Sequence, residues 1–421
     1  MKILFVADTY PPQINGAGNA TRSMALWLLE KGNNVSVVAP STSLKNFTEE
    51  KDGMTIYRVS SLLVQKAQSF RVSPQVMHWK KLQQIIQEVQ PDVIHVNSPG
   101  FLAQSAIKIA NASGIAIVGT AHFMPENLTH YLHMPYPIEN AINKLAWREY
   151  AGIYSKLDMI TAPTQTAADL LLQFPIIKKV VVISNGIDFV ELKKMSDKET
   201  VRKKFGLPHD PLLLFVGRIE KEKNIDVFLK AAKLLKNRTF HIVIVGKGKE
   251  LELLQDLAEK LGIAKRVTLT GFVSDPDASA LYALSSIFVM PSIAELQSLT
   301  TMNAMAFSLP IIAANAVALP HLVHSDQNGF LFKPKDVQDL AKKLDILLAD
   351  PELSEKMGKK SREMIAVHDK EHVVKEMEDV YQQAIVKSKE KIMKKKRKFR
   401  LPVLFTKRKL AKKLLQPIDT V

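Results

Sequence analysis

The sequence predicts two doubly wound α/β domains facing each other across a cleft, followed by a basic C-terminal tail. Three observations carry that reading. Short apolar runs of strand type alternate with helical stretches through most of the 421 residues. The alternation restarts after Asn185-Gly186-Ile187-Asp188. The charge is uneven: residues 387–421 hold 14 basic and two acidic side chains, whereas the preceding 386 residues hold 44 and 40. Strand–helix alternation indicates a parallel sheet covered on both faces. Such sheets bind ligands beyond the carboxyl ends of their strands.

In the first unit the strand runs are residues 3–7, 35–39, 93–96, 115–119, 159–162 and 180–183. Residues 20–31 and 76–89 read as helices, the second with Val76, Trp79, Leu82 and Ile86 at helical spacing. Asn-Gly at 185–186 is turn chemistry and marks a boundary. In the second unit the runs are 212–216, 241–245, 267–270, 287–290, 310–313 and 329–332, and an amphipathic helix covers 371–386. This divides the chain into 1–186, 187–370, the helix 371–386 and the tail 387–421. Apolar residues at 46% and charged residues at 24% suit filled globular cores. The chain has no cysteine, which excludes a disulfide scaffold, a cysteine nucleophile and a cysteine-type zinc site. The opening apolar stretch is short and meets Asp8, unlike a signal peptide, and no run approaches a spanning helix.

Four segments carry chemistry. After the first strand, Asn15-Gly16-Ala17-Gly18-Asn19 leads into a helix. Glycines let backbone approach an anion, and a helix N-terminus offers free amides; an ordinary turn is the alternative. In the second unit, Gly217-Arg218 and Lys223 lie just past a strand end, where a fork donor and a compact ammonium suit a diphosphate. Pro291-Ser292-Ile293-Ala294-Glu295-Leu296-Gln297-Ser298-Leu299-Thr300 is a polar loop opening a helix near Leu299. Its amides suit a phosphate, and Glu295 suits sugar hydroxyls or, equally, a helix dipole. His122, in Thr120-Ala121-His122-Phe123, is either a structural hydrogen-bonder or a site residue. His130 and His133 lack a third metal ligand, and Asp275-Pro276-Asp277 reads as a loop and N-cap, so no metal is expected.

Taken in order, the Gly16 loop, His122, Asn185-Gly186-Ile187-Asp188, Gly217-Arg218 with Lys223, and Pro291-Ser292 with Glu295 resemble family 4 glycosyltransferases of the GT-B fold over roughly residues 1–386. The resemblance extends to bacterial diacylglycerol glucosyltransferases and phosphatidylinositol mannosyltransferases through His122-Phe123-Met124-Pro125-Glu126-Asn127-Leu128. It implies a retaining hexosyltransferase that holds a nucleotide-diphosphate sugar as co-substrate in the interdomain cleft, with no essential metal or other cofactor. By that likeness Glu295 binds donor-sugar hydroxyls, and Arg218 and Lys223 bind the diphosphate. Gly16, Ala17 and Gly18 face the phosphates and His122 the reacting carbon. Gly217, Ser298, Leu299 and Thr300 complete the donor site, with Phe272 near the base. The helix 371–386 is expected to pack back on the first domain. The family commonly has a second Glu where this chain has Asn303, an amide that binds a ribose hydroxyl without charge assistance.

In the tail, Lys391, Lys394, Lys395, Lys396, Arg397, Lys398 and Arg400 precede Pro402, after which 403–415 reads as a short amphipathic helix. Basic residues opposite an apolar face point to an anionic membrane surface, each contributing on the order of 1 kcal/mol. The rival readings are nonspecific nucleic-acid contact, without a recognition module, and a solubilising disordered tail. Membrane contact implies a lipid acceptor such as diacylglycerol or a phosphatidylinositol-like lipid, and a cytoplasmic enzyme peripheral on the inner face of the cell membrane. Leu62, Leu63, Val64, Phe70 and Val72, with Lys66 and Arg71, offer a second contact or ordinary core and surface. The competing functions are transfer to a soluble acceptor and non-catalytic binding of sugar nucleotide or membrane.

Overall fold

A computed structural model describes residues 1–13, 15–64, 71–125, 136–236 and 239–413, giving the backbone alone for Tyr136 and for 395–413. The first sheet is built from β1 (Lys2–Val6), β2 (Asn34–Pro40), β3 (Phe47–Lys51), β4 (Met54–Val59), β7 (Val93–Val96), β8 (Ala116–Thr120), β9 (Met159–Ala162) and β10 (Val181–Val182). Their order is β10-β9-β8-β7-β1-β2-β4-β3, all parallel except the edge strand β3 against β4. Between β4 and β7, β5 (Leu62–Leu63) and β6 (Arg71–Val72) form a separate antiparallel pair. The second sheet has β11 (Leu212–Val216), β12 (His241–Val245), β13 (Val267–Gly271), β14 (Ile287–Met290), β15 (Ile311–Ala314) and β16 (Gly329–Phe332). All its pairs are parallel, in the order β13-β12-β11-β14-β15-β16.

Parallel strands covered on both faces read as unbroken apolar runs, and β1 shows why. Leu4 and Val6 enter one buried cluster, while Ile3 and Phe5 enter the cluster on the opposite face. Strand order reverses between β7 and β1 in one sheet and between β14 and β11 in the other. Those reversals open a crevice at the strands' carboxyl ends.

Three differences from the sequence expectation have local causes. The edge strand Phe-Thr-Glu-Glu-Lys is almost wholly exposed and has no apolar alternation to announce it. The first helix runs Gly16–Glu30 rather than from residue 20, because Asn15 caps it by accepting from the Gly18 amide at 2.7 Å. Gly16, Ala17 and Gly18 are thus its first turn rather than a loop. The last helix runs unbroken from Lys370 to Lys413, through Pro402, rather than ending at 386.

That last helix lies on the first domain. Val373, Val374, Met377, Val380 and Ala384 share a core with Ile3, Phe5, Val35 and Val37. Tyr381, fully buried, meets His95 Nδ1 at 2.6 Å, and His95 Nε2 meets Thr120 Oγ1 at 2.8 Å. Further along, Ser388 donates to the Gly114 carbonyl at 3.0 Å, and Lys391 pairs with Asp158 at 2.5 Å. The tail expected to begin at 387 is therefore docked through these residues. Ser388, Lys391 and Ile392 share a helix face, and Ile392 fills the space a side chain on Gly114 would take.

Candidate active site

The site grows from the reversal between β11 and β14. Beyond β11, a single 3₁₀ turn, Lys221–Lys223, ends at Asn224 in the left-handed region (φ 47°). It turns Lys223 inward. Beyond β14, Glu295 comes from the opposite side, and Lys223 Nζ lies 2.5 Å from Glu295 Oε1 and 3.5 Å from Ser292 Oγ. The two side chains are only 10% and 14% exposed. A nearly dry pair of this kind holds both groups fixed in direction.

Arg218, on the same β11 loop, donates to Glu222 Oε1 at 2.9 Å, and the Glu222 carbonyl accepts from the Ile293 amide at 3.2 Å. Glu222 thus ties Arg218 to the Glu295 loop. Gly217 is pressed close to the next strand's exit. A side chain on Gly246 would stand 1.8 Å from the Gly217 carbonyl, and one on Gly248 would stand 1.9 Å from that of Ile219. Lys247, between them, carries its ammonium 6.0 Å above the ring of Phe272, which is otherwise exposed.

The Glu295 loop continues into the helix Leu299–Ala306, capped by Ser298, whose Oγ accepts from the Thr301 amide at 3.3 Å. Leu299 and Thr300 are first-turn residues whose amides the helix cannot pair for itself. Asn303 is half-buried on this helix, next to the Tyr282 hydroxyl that donates to the Thr300 carbonyl at 3.1 Å. The Asp277 carboxylate is engaged by Ser196 at 2.6 Å and Lys204 at 2.7 Å, beside the Ser274 cap.

The first domain contributes from its own strand ends. His122 follows β8, and desolvation pushes its pKa down to about 4, so the imidazole is neutral at pH 7. The first turn at residues 16–18 follows β1; a side chain on Gly18 would meet the Thr9 carbonyl at 3.3 Å. Asp8, missed in the sequence, sits at the end of β1. It accepts from Ser98 at 3.0 Å and from the Leu102 amide at 3.0 Å, at the start of the helix Phe101–Ser113. Burial raises its pKa to about 6, against the lowering effect of those bonds.

Thr164, just past β9, donates to the Leu296 carbonyl at 2.8 Å, so the carboxyl ends of the two sheets meet. Lys223 and Glu295 are in direct contact and Arg218 is linked to them. Among the described residues, His122 and residues 16–18 make no hydrogen bond or ion pair to Glu295 or Lys223. Glu126, Asn127, His130, His133, Lys66 and Phe70 lie outside the described residues.

Two largely parallel sheets thus meet at their carboxyl ends beside a charged pair, in a two-domain α/β architecture. Residues 14–191 match the profile of Glycosyltransferase Family 4, and residues 197–364 match that of Glycosyl transferases group 1. Sulfoquinovosyl transferase SQD2 of Arabidopsis thaliana is 29% identical over 378 residues, covering 87% of this chain and 70% of that protein. The alpha-monoglucosyldiacylglycerol synthase of Acholeplasma laidlawii is 25% identical over 407 residues, covering 94% of this chain and all of that one. Among solved structures, Anabaena HepE in complex with UDP-glucose superposes with a TM-score of 0.73 at 17% identity, over 91% of this chain and 99% of that one. The chain belongs to the family 4 glycosyltransferases and has the GT-B fold.

Proposed function

We propose that this glycosyltransferase moves a hexose, with retention of configuration, from a nucleotide-diphosphate sugar to a hydroxyl of a membrane lipid such as diacylglycerol or a phosphatidylinositol-like lipid. The observation that carries the chemistry is the nearly dry Lys223–Glu295 pair at the strand reversal, beside a capped helix N-terminus. The lipid acceptor is supported by the name of the Acholeplasma relative, and the nucleotide sugar by the ligand of HepE.

In this reading the bond between the anomeric carbon and the diphosphate oxygen breaks, and negative charge grows on the leaving group. Lys223, Arg218 and the amides of Leu299 and Thr300 stabilise that charge as it develops. Glu295 accepts hydrogen bonds from the sugar hydroxyls and fixes the ring's orientation. The acceptor hydroxyl attacks from the face the phosphate leaves, and its proton passes to the departing phosphate oxygen. Neutral His122 supplies a hydrogen bond at the sugar rather than a positive charge. No metal is assigned a role. The basic residues of 387–421 beyond the docked stretch hold the enzyme at the anionic inner face of the membrane.

Glu295→Ala and Arg218→Ala, each purified as a folded protein, are expected to lose at least about a hundredfold in kcat, the size of a lost electrostatic contact to the transition state. Near-normal turnover in either variant overturns the assignment.

A further inference from the structure

The four residues from Glu295 to Ser298 are tied alternately to the two domains. The Glu295 carbonyl accepts from the Ala318 amide at 3.2 Å, within the second domain. The next residue, Leu296, belongs to the first domain's buried core, and its carbonyl accepts from Thr164 of that domain at 2.8 Å. Gln297 then uses both ends of its amide on the segment joining the domains. Its Oε1 accepts from the Asn185 amide at 2.7 Å, and its Nε2 donates to Ser184 Oγ at 3.0 Å. Ser298 returns to the second domain as the cap of Leu299–Ala306.

We propose that Leu296 and Gln297 form an interdomain clasp in which Gln297 is a positioning residue, holding Glu295 against Lys223 when the domains are closed. The proposal rests on the reading of Glu295 as the sugar-binding carboxylate. Its physical basis is reach. Three peptide units separate Glu295 from Ser298, and an extended chain gains at most about 3.6 Å per residue. An opening of several ångströms must therefore either pull Leu296 from the first domain's core or drag Glu295 from its partner. Gln297, 8% exposed, gives up two hydrogen bonds and its burial on that movement. Closure and the placement of Glu295 are thus one event. A glutamine that merely filled the interface would affect stability without separating binding from turnover.

The test uses the full-length protein. Gln297→Leu keeps the volume and removes both bonds. Because Lys223 and Arg218 stand on the second domain alone, donor KM is expected to change less than threefold while kcat falls at least tenfold. Gln297→Glu keeps an acceptor for the Asn185 amide and can accept from the Ser184 hydroxyl; it is expected to recover kcat to within threefold of the wild type. Ser184→Ala should cost little once Gln297→Leu is present. Since the chain has no cysteine, Lys45→Cys and Glu252→Cys give one labelling site in each domain for a fluorescence distance measurement. With no donor present, Gln297→Leu should broaden that distance distribution towards longer separations. An unchanged distribution overturns the clasp, and a normal kcat in Gln297→Leu overturns the positioning role whatever the distance shows. Should the wild type transfer no sugar, the function fails, and the distance measurement still decides the clasp.

Discussion

A lysine and a carboxylate held almost out of solvent offset one another's burial, and removing either leaves the other uncompensated. Glu295→Leu or Lys223→Met alone should each lower unfolding stability by about 3 kcal/mol, whereas the double substitution should recover most of it and remain inactive. Denaturant titration of the three variants checks this; equal losses that simply add would show that the pair is not coupled. Acid titration gives a second prediction. His95 and His122, pushed down by burial to about 3 and about 4, bind fewer protons folded than unfolded. Their stability contribution is complete above about pH 6.5 and is lost as pH falls through that window. Asp8, raised to about 6, has the opposite sign: its ionisation penalty is relieved as pH falls from 6 towards 4. The two histidines outweigh it, so Tm should fall from pH 7 to pH 4.5, and more steeply in Asp8→Asn. A shallower fall in that variant contradicts the assignment. Arg218, Lys223 and Glu295 were legible because charged residues stood just past apolar strand runs. Gln297 and Asp8 were not. Their partners lie 112 and about 94 residues away in sequence, and no local pattern announces contacts of that range.

The strands were legible for the reason that makes them stable: each central parallel strand is buried on both faces and so is apolar at most positions, with buried polar residues such as His95 in β7 as exceptions. The edge strand β3 and the two-residue strands β5 and β6 lack that pressure; β3 went unannounced, and Leu62, Leu63, Arg71 and Val72 read as a second membrane contact or as ordinary core and surface. Helix boundaries depended on caps. Asn15 was visible, but the glycines after it suggested a loop, whereas its side chain makes them a first turn. Ser298 is the cap that matters most for chemistry. Ser298→Ala should destabilise the helix Leu299–Ala306 by about 1 kcal/mol and raise donor KM, because the first-turn amides lose their fixed direction. Thermal unfolding and a donor titration check both; an unchanged KM would show that these amides do not meet the donor.

The helix Lys370–Lys413 joins the two domains and carries the charge that dominated the composition. It starts where the Ile187 amide donates to the His368 carbonyl and Lys370 bonds Glu30 and Asp188, each at 2.8 Å. It crosses the first sheet through Tyr381 and is held near residues 388–392 by Gly114 and Asp158. Those anchors precede β8 and β9, at the strands' amino ends, whereas the candidate site lies at the carboxyl ends. The basic segment therefore leaves the first domain away from the cleft. Residues 393–413 add about 30 Å of helix at 1.5 Å per residue, the length of a tether. No described helix is long and apolar enough to cross a membrane. Replacing Lys394, Lys395, Lys396, Arg397, Lys398 and Arg400 by Gln should weaken binding to anionic vesicles and slow turnover of vesicle lipid. Turnover of detergent-dispersed lipid should stay within about twofold; equal vesicle binding by both proteins would remove the tether. The most direct test incubates the full-length enzyme with a panel of radiolabelled nucleotide sugars and anionic vesicles containing diacylglycerol, alongside Glu295→Ala. A labelled glycolipid with the donor's anomeric configuration, formed by the wild type and not by the variant, is the predicted result. Label confined to free sugar or water-soluble product, or a glycolipid formed equally fast by Glu295→Ala, would contradict it.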